Sequence, residues 1–289
     1  MRPKLEILIL TLPQRKCFLE QVLRIFDHQC GPGKGASYRV MMHDPDRMAV
    51  GDAKQQLKEA STGEYICFFD DDDLPAPDYV DRIVELLDRD YVGFQVQCYD
   101  NFERRKPTFH SIRYDGWSED DDGYYRGISH INPMRRELSL AVRIEGALTD
   151  KSGEDYRWAM EMSRQGIVKT EQYIPAVMYH YYPRIQPLNE DGDPFDNRRL
   201  GEMAKLYAGM PDLLAKIGAQ TIVPPDRPAI FAPAVPPIPK PKPPPPVSRQ
   251  QPQEPIIVMY SAFCPKCKST AVGMAGGMRR CNQCGHGFV

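Results

Sequence analysis

Apolar and polar positions fall into short, regular blocks along the first hundred residues. Residues 5–12, LEILILTL, form an apolar run and read as a first strand. Across 14–27 the apolar positions Phe18, Val22, Ile25 and Phe26 recur at the spacing of one helical face. Glycines then punctuate 31–35, and 37–43 reads as a second strand closed by Asp44-Pro45-Asp46. Residues 51–60 read as a helix, 65–69 as a third strand, 77–89 as a helix with Val80, Ile83, Val84 and Leu87 facing inward, and 91–98 as a further strand. The run at 65–69, YICFF, is apolar on successive positions, which suits a strand buried on both faces of a parallel sheet. Strands alternating with helices predict an α/β fold, a Rossmann-like mixed but mainly parallel sheet with flanking helices.

Residues 100–150 are less regular, and the acidic stretch at 118–125 reads as exposed. Residues 153–165 open at an acidic cap and continue as a helix, 172–182 form a strand ending in YHYY, and 195–217 read as one or two helices broken at 209–211. The composition then changes, because 223–255 hold half of the chain's 28 prolines. Such a segment cannot bury a core and favours an extended spacer, although a docking site for a proline-reading partner has the same composition. The expected organisation is a catalytic domain at 1–222, a proline-rich linker at 223–256 and a small tail domain at 257–289.

Bulk composition adds little. The net charge of −2 selects no partner class. No apolar stretch reaches membrane-spanning length, and the N-terminus lacks a small-residue cleavage site, so no membrane association and a cytoplasmic location are expected. Four of the eight cysteines are scattered, while Cys264, Cys267, Cys281 and Cys284 form two CxxC pairs separated by thirteen residues. This spacing suits a structural, tetrahedral zinc site, which resembles a zinc ribbon and would replace the core that so short a segment cannot build. Lys266, Lys268, Arg279 and Arg280 make the tail locally basic, which fits nucleic acid, a solubilised small fold or a protein-docking module.

The chemistry concentrates where the third strand stops at Asp70-Asp71-Asp72-Asp73. Four adjacent carboxylates at the end of a buried strand repel one another, and a divalent cation such as Mg²⁺ or Mn²⁺ offsets that charge. A solvated acidic turn capping the next helix through Asp73 or Asp78 is the plainer alternative. In open α/β sheets ligands bind at the carboxyl ends of strands, which is where this cluster stands.

Across residues 4–185 the chain resembles the family-two nucleotide-sugar glycosyltransferases of GT-A fold. The resemblance rests on motifs in order: LILTLPQR, HDPD, GDAKQQLKEASTGEYICFFDDDD, GEDYRW and YHYY. Two positions depart from the family pattern, the turn PDRM after the second strand and Lys54 where an arginine is common. The resemblance implies donor contacts from Thr11, Asp44, Lys54, Asp70 and Asp71, with Arg47 nearby, and a metal held by Asp70 and Asp72 in a D-x-D reading, with His180 completing the metal or diphosphate site. It makes Asp155 of the Glu154-Asp155 pair the catalytic base. From the residues alone, that pair also fits ordinary helix N-terminal charge, His180 a packed aromatic-cluster histidine, and Trp158 either sugar stacking or the core. His130, Asn132 and Arg135 are candidates for an acceptor pocket.

The resulting expectation is a metal-dependent inverting glycosyltransferase, using Mn²⁺ or Mg²⁺ and most naturally a UDP-sugar. A hydroxymethylated base in viral DNA is one acceptor, held with help from the basic tail, as in a bacteriophage gene product acting in host cytoplasm. Protein, lipid or glycan acceptors, a nucleotidyltransferase, and a non-catalytic nucleic-acid-binding adaptor are the alternatives.

Overall fold

The computed structural model describes residues 2–31, 33–100, 102–146, 153–182 and 197–217, with three short strands at 272–275, 278–281 and 287–288. In chain order the elements are β1 (Leu5–Thr11), α1 (Lys16–Gln29), β2 (Ala36–Met42), α2 (Val50–Ala60), β3 (Tyr65–Phe68), β4 (Leu74–Pro75) and α3 (Tyr79–Val84). There follow β5 (Tyr91–Asp100), β6 (Glu103–His110), β7 (Trp117–Glu119), β8 (Tyr124–Arg126), β9 (Met134–Arg135), α4 (Arg136–Ala141), α5 (Glu154–Gln165) and β10 (Glu171–Tyr181). Two helices, α6 (Asn197–Leu206) and α7 (Pro211–Ile217), close the series.

The large sheet runs β2-β1-β3-β9-β5-β6-β8-β7, with β10 pairing both β4 and β5. Parallel pairing joins β2 and β3 to β1, and β10 to β5. The two-residue strand β9 bridges β3 and β5 in antiparallel sense, so the sheet is mixed at its centre. The continuous apolar runs of β1 and β3 are explained by helices on both faces. Leu5, Ile7, Ile9, Tyr65 and Cys67 pack into one core with α1 and α3, while Leu8, Ile66 and Phe68 pack into another with α2 and α5. Glu6 is the one charge inside β1. Burial would raise its pKa, but the N–H groups of Thr62 and Gly63 and the guanidinium of Arg39 hold the carboxylate below its ordinary range.

The helix expected over 77–89 is shorter than its apolar pattern. Beyond Val84 the backbone tightens into turns, with the Leu86 N–H on the Ile83 carbonyl at 2.9 Å. Asp90 then binds the backbone N–H groups of Lys169 and Thr170, which fixes the start of β5 beside β10. The break expected at 209–211 is present between α6 and α7. These helices form a third core with Ile25, Leu74, Tyr99 and Tyr182.

Compact units comprise residues 1–237 and 238–289. In the second unit, β11 (Val272–Ala275), β12 (Met278–Cys281) and β13 (Gly287–Phe288) form an antiparallel sheet in that order. The proline-rich segment 223–256 and the zinc-ligand candidates Cys264, Cys267 and Cys284 lie outside the described residues, and Cys281 is described only as the last residue of β12.

One buried side chain ties α6 to the acidic turn. Arg199 is 1% exposed, donates to the carbonyls of Asp72 and Asp73, and bonds Gln21 Oε1 at 3.0 Å. Arg199→Met leaves those acceptors without a donor inside the protein, and is expected to destabilise the fold by about 3 kcal/mol. Urea unfolding of the variant checks this, and unchanged stability would contradict the assigned role.

Candidate functional site

Parallel pairing of β1 and β3, with Leu8 beside Phe68, delivers both C-terminal ends to one edge of the sheet. Thr11 closes β1 and donates its hydroxyl to Asp71 Oδ2 at 2.5 Å. A single 3-10 turn, Pro13–Arg15, then swings the Arg15 guanidinium back onto Asp71 at 2.7 Å and onto Asp72. Burial would lower the Arg15 pKa, but Asp72, Asp71 and Asp70 raise it.

The four aspartates occupy different surroundings. Asp73 is fully buried, accepting the Tyr179 hydroxyl at 2.6 Å and the Tyr182 N–H at 2.7 Å. Burial and the neighbouring Asp72 and Asp70 carry its pKa well above the carboxylate range in spite of those bonds. Asp71 is pushed up to about 6 by burial, against Arg15 and Thr11. Asp70 is raised by burial, against the pull of Lys54. Burial is the leading cause of all three shifts, and an added cation would favour the ionised carboxylates.

Among the described residues, the Asp70 carboxylate receives no hydrogen bond from the protein, and it faces two cavities. Its free oxygens, beside the cavity-lining Asp72, fit a hard divalent cation that takes its remaining ligands from a substrate phosphate. No three carboxylate, imidazole or thiolate groups converge into a complete metal cage among the described residues.

The cavity at the strand ends has a volume of about 560 Å³ and is lined by Thr11, Arg15, His43, Met48, Lys54 and Asp72, among others. The other, of about 600 Å³, is lined by Tyr99, Trp117, Arg126, His130, Tyr156 and Tyr179, among others. Asp70, Asp155 and Tyr181 line both. The aspartate expected as metal ligand and the aspartate expected as base thus stand where the two cavities meet.

Asp155 reaches this wall from the first turn of α5. Gly153, at φ 95°, supplies the left-handed residue that turns the chain into that helix. Its Oδ1 accepts the Tyr156 N–H at 2.8 Å, and its Oδ2 lies 3.6 Å from His130 Nδ1. The neighbouring Glu154 is buried and pairs with Lys54 at 2.7 Å. Burial would lower the Lys54 pKa, but Asp70, Glu154 and Asp155 hold it above the ordinary value. Lys54 Nζ lies 3.5 Å from His130 Nε2. An ammonium can only donate, so Nε2 accepts and the imidazole proton sits on Nδ1, facing Asp155. Burial, reinforced by Lys54, keeps His130 neutral, with its pKa well below the ordinary range.

The structure therefore brings together Thr11, Lys54, Asp70, Asp71, Asp72 and Asp155. His180 stands apart from them. Successive side chains on β10 alternate, so Tyr179 and Tyr181 line cavities while His180 lines neither. Its Nδ1 shares a hydrogen bond with the Tyr99 hydroxyl at 3.0 Å, and the two rings stack. Asp44 is half exposed and pairs with Arg47 at 3.1 Å, while its neighbours His43 and Pro45 line the cavity at the strand ends. Trp158 is a core residue, 3% exposed, whose indole N–H binds the Val142 carbonyl at 3.1 Å. Asn132 is engaged by His110 and the Val92 carbonyl, and Arg135 by Glu64 and Asp90. Of the three acceptor-pocket candidates, His130 lines one of these two cavities and Asn132 and Arg135 line neither.

Sequence reasoning passed over Arg15, Tyr179, Tyr181, Trp117 and Arg126. Arg15, in the turn leaving β1, and Tyr179 and Tyr181, in YHYY, stand within quoted motifs, whereas Trp117 and Arg126 carry no such signal.

Residues 34–145 match the sequence family described as Glycosyl transferase family 2, and that segment carries a glycosyltransferase domain. No curated protein matches the chain. Among solved structures it is similar to the crystal structure of S. aureus TarS 1–349, at 12% identity and a TM-score of 0.47, over 74% of this chain and 70% of that one. The complex of TarS 1–349 with UDP-GlcNAc gives 12% identity and 0.48, over 74% and 71%. The crystal structure of S. aureus TarS gives 13% and 0.45, over 75% and 43%.

His110 and His180 give a pH test of the packing around the site. Burial lowers both pKa values to about 4. A histidine whose folded pKa lies below its unfolded value of about 6.5 favours the folded state while neutral. That contribution is complete above about pH 6.5 and is lost as pH falls towards about 4. His180→Gln is expected to reduce the stability drop between pH 7 and pH 5 by about 2 kcal/mol relative to the unaltered chain. Urea unfolding at the two pH values checks this, and equal drops would contradict it.

Proposed function

We propose that this chain, a glycosyltransferase by its family segment at 34–145, moves a sugar from a nucleotide sugar to an acceptor hydroxyl with inversion, on a GT-A fold. One observation carries the reading: Asp70 and Asp155 occupy the wall shared by two cavities. A donor in the cavity at the ends of β1 and β3, the usual ligand position of an α/β sheet, would place its diphosphate beside Asp70 and Asp72. A UDP-sugar is the donor we favour. An acceptor in the other cavity would present its hydroxyl to Asp155.

Asp70 and Asp72 would hold a divalent cation, Mn²⁺ or Mg²⁺, which supplies charge neutralisation for the departing diphosphate. The chain's own residues do the remainder. Thr11 and Arg15 hold Asp71 in place, and Arg15 also holds Asp72. Lys54, fixed by Glu154, lines the donor cavity and adds positive charge near the leaving group. Asp155 accepts the proton of the acceptor hydroxyl as that oxygen attacks the anomeric carbon. A base on the acceptor side implies a single displacement, hence inversion. Neutral His130 aims its Nδ1–H toward Asp155 and restricts the carboxylate's orientation.

For the acceptor we propose a hydroxymethylated base in DNA. A cavity of about 600 Å³ with exposed Trp117, Tyr156 and Tyr181 among its lining has room for one extruded ring and surfaces to stack on it. The basic tail, read as a Cys264/Cys267/Cys281/Cys284 zinc ribbon, would raise the local concentration of such a polymer.

The test is a transfer assay with Mn²⁺, a panel of nucleotide sugars, and plain or 5-hydroxymethylcytosine DNA, read by nucleoside mass spectrometry after digestion. A sugar mass on the modified base alone is expected. Asp155→Asn is expected to slow transfer by roughly 10²–10⁴-fold. Sugar transfer only to protein, lipid or glycan would overturn the DNA acceptor. Pyrophosphate release from a nucleoside triphosphate, with no turnover of any nucleotide sugar, would replace the reading by nucleotidyl transfer.

A further inference from the structure

The acceptor-side cavity holds a cation that the roles above do not use. Arg126 ends β8 and stands directly opposite Trp117 in the β7–β8 pairing. Its guanidinium stacks on the Trp117 ring at 4.0 Å and lies 5.9 Å from the Tyr124 ring. Arg126 is half-buried, and burial lowers its pKa. The other arginine lining the cavity, Arg105, is engaged by Asp100 at 2.9 Å. Arg126 has neither an ion-pair partner nor a hydrogen-bond acceptor for its guanidinium among the described residues.

A guanidinium drawn out of water without a partner is costly, and an oxyanion ligand removes that cost. Its planar fork of N–H donors matches phosphate oxygens two at a time. The surroundings narrow the ligand further. Trp117, Tyr156 and Tyr181, exposed by 52%, 41% and 42%, present ring surface in the same cavity. An oxyanion beside a planar ring is the composition of a nucleotide unit. Glu119, opposite Tyr124 in the same pairing, is near enough to pull the Arg126 pKa up in part, and Asp121 and Asp122 stand exposed beyond it. They repel an extended track of phosphates and leave Arg126 as the place for one.

We propose that Arg126, stacked on Trp117, is a phosphate-binding subsite that holds the phosphate of the nucleotide carrying the acceptor hydroxyl. This rests on the reading of that cavity as the acceptor side.

The chain has two tryptophans, and Trp158 is buried in the core, so Trp117 reports on ligands at Arg126. Tryptophan emission of the full chain is followed against thymidine 5′-monophosphate, inorganic phosphate and acetate at constant ionic strength. A saturable response to both phosphates is expected, absent in Trp117→Phe, about 10-fold weaker in affinity in Arg126→Lys, and lost in Arg126→Met. Circular dichroism identifies any variant that fails to fold, and Arg126→Lys then carries the comparison. No saturable response in the unaltered chain, an equal response to acetate, or undiminished affinity in Arg126→Lys would overturn the subsite. Mn²⁺-dependent donor hydrolysis by the unaltered chain is measured alongside. Phosphate binding without hydrolysis of any donor keeps the subsite and withdraws the proposed function, while hydrolysis without phosphate binding does the reverse.

Discussion

Four carboxylates in a row at the end of a buried strand must be offset, and much of the site follows from how the chain does it. Positive charge arrives from three distant elements: Arg15 from the turn after β1, Lys54 from α2 and Arg199 from α6. Each cation is itself fixed, Lys54 by Glu154 and Arg199 by Gln21 and two carbonyls of the acidic turn. Asp70, Asp71 and Asp73 nevertheless have raised pKa values, because burial penalises their ionised forms. On our reading the donor's cation stabilises those ionised forms.

The same arrangement links fold to reaction. Arg15, Lys54 and Asp155 converge on the cluster from separate parts of the chain, and Asp70 and Asp155 stand in a wall that the two cavities share. Lys54 has a second consequence. It fixes Glu154 and dictates the tautomer of His130, so the orientation of Asp155 is coupled to Lys54. This coupling uses packed side chains and needs no moving part.

The sequence was most legible where structure is local and apolar. β1 and β3 announce themselves because both of their faces are buried, and the acidic turn because it interrupts such a run. The helix after Ala76 was overextended because its apolar spacing continues past Val84, whereas the backbone turns early to begin β5. β9 escaped notice because two residues carry no periodicity, and its pairing is supplied wholly by β3 and β5. Asp155, which lines both cavities, stands in a recognisable motif, whereas Arg199 does not, since its partners lie 178 and 127 positions away in sequence. YHYY pointed to the right strand, but strand alternation puts Tyr179 and Tyr181 in the cavities and His180 against Tyr99.

The most direct test of the central claim is calorimetric titration of the full chain with a nucleoside diphosphate, with and without Mn²⁺. Binding is expected to depend on Mn²⁺ and to be lost when Asp70→Asn and Asp72→Asn are combined. Nucleotide binding of equal strength without the metal, or unchanged in that double variant, would contradict it.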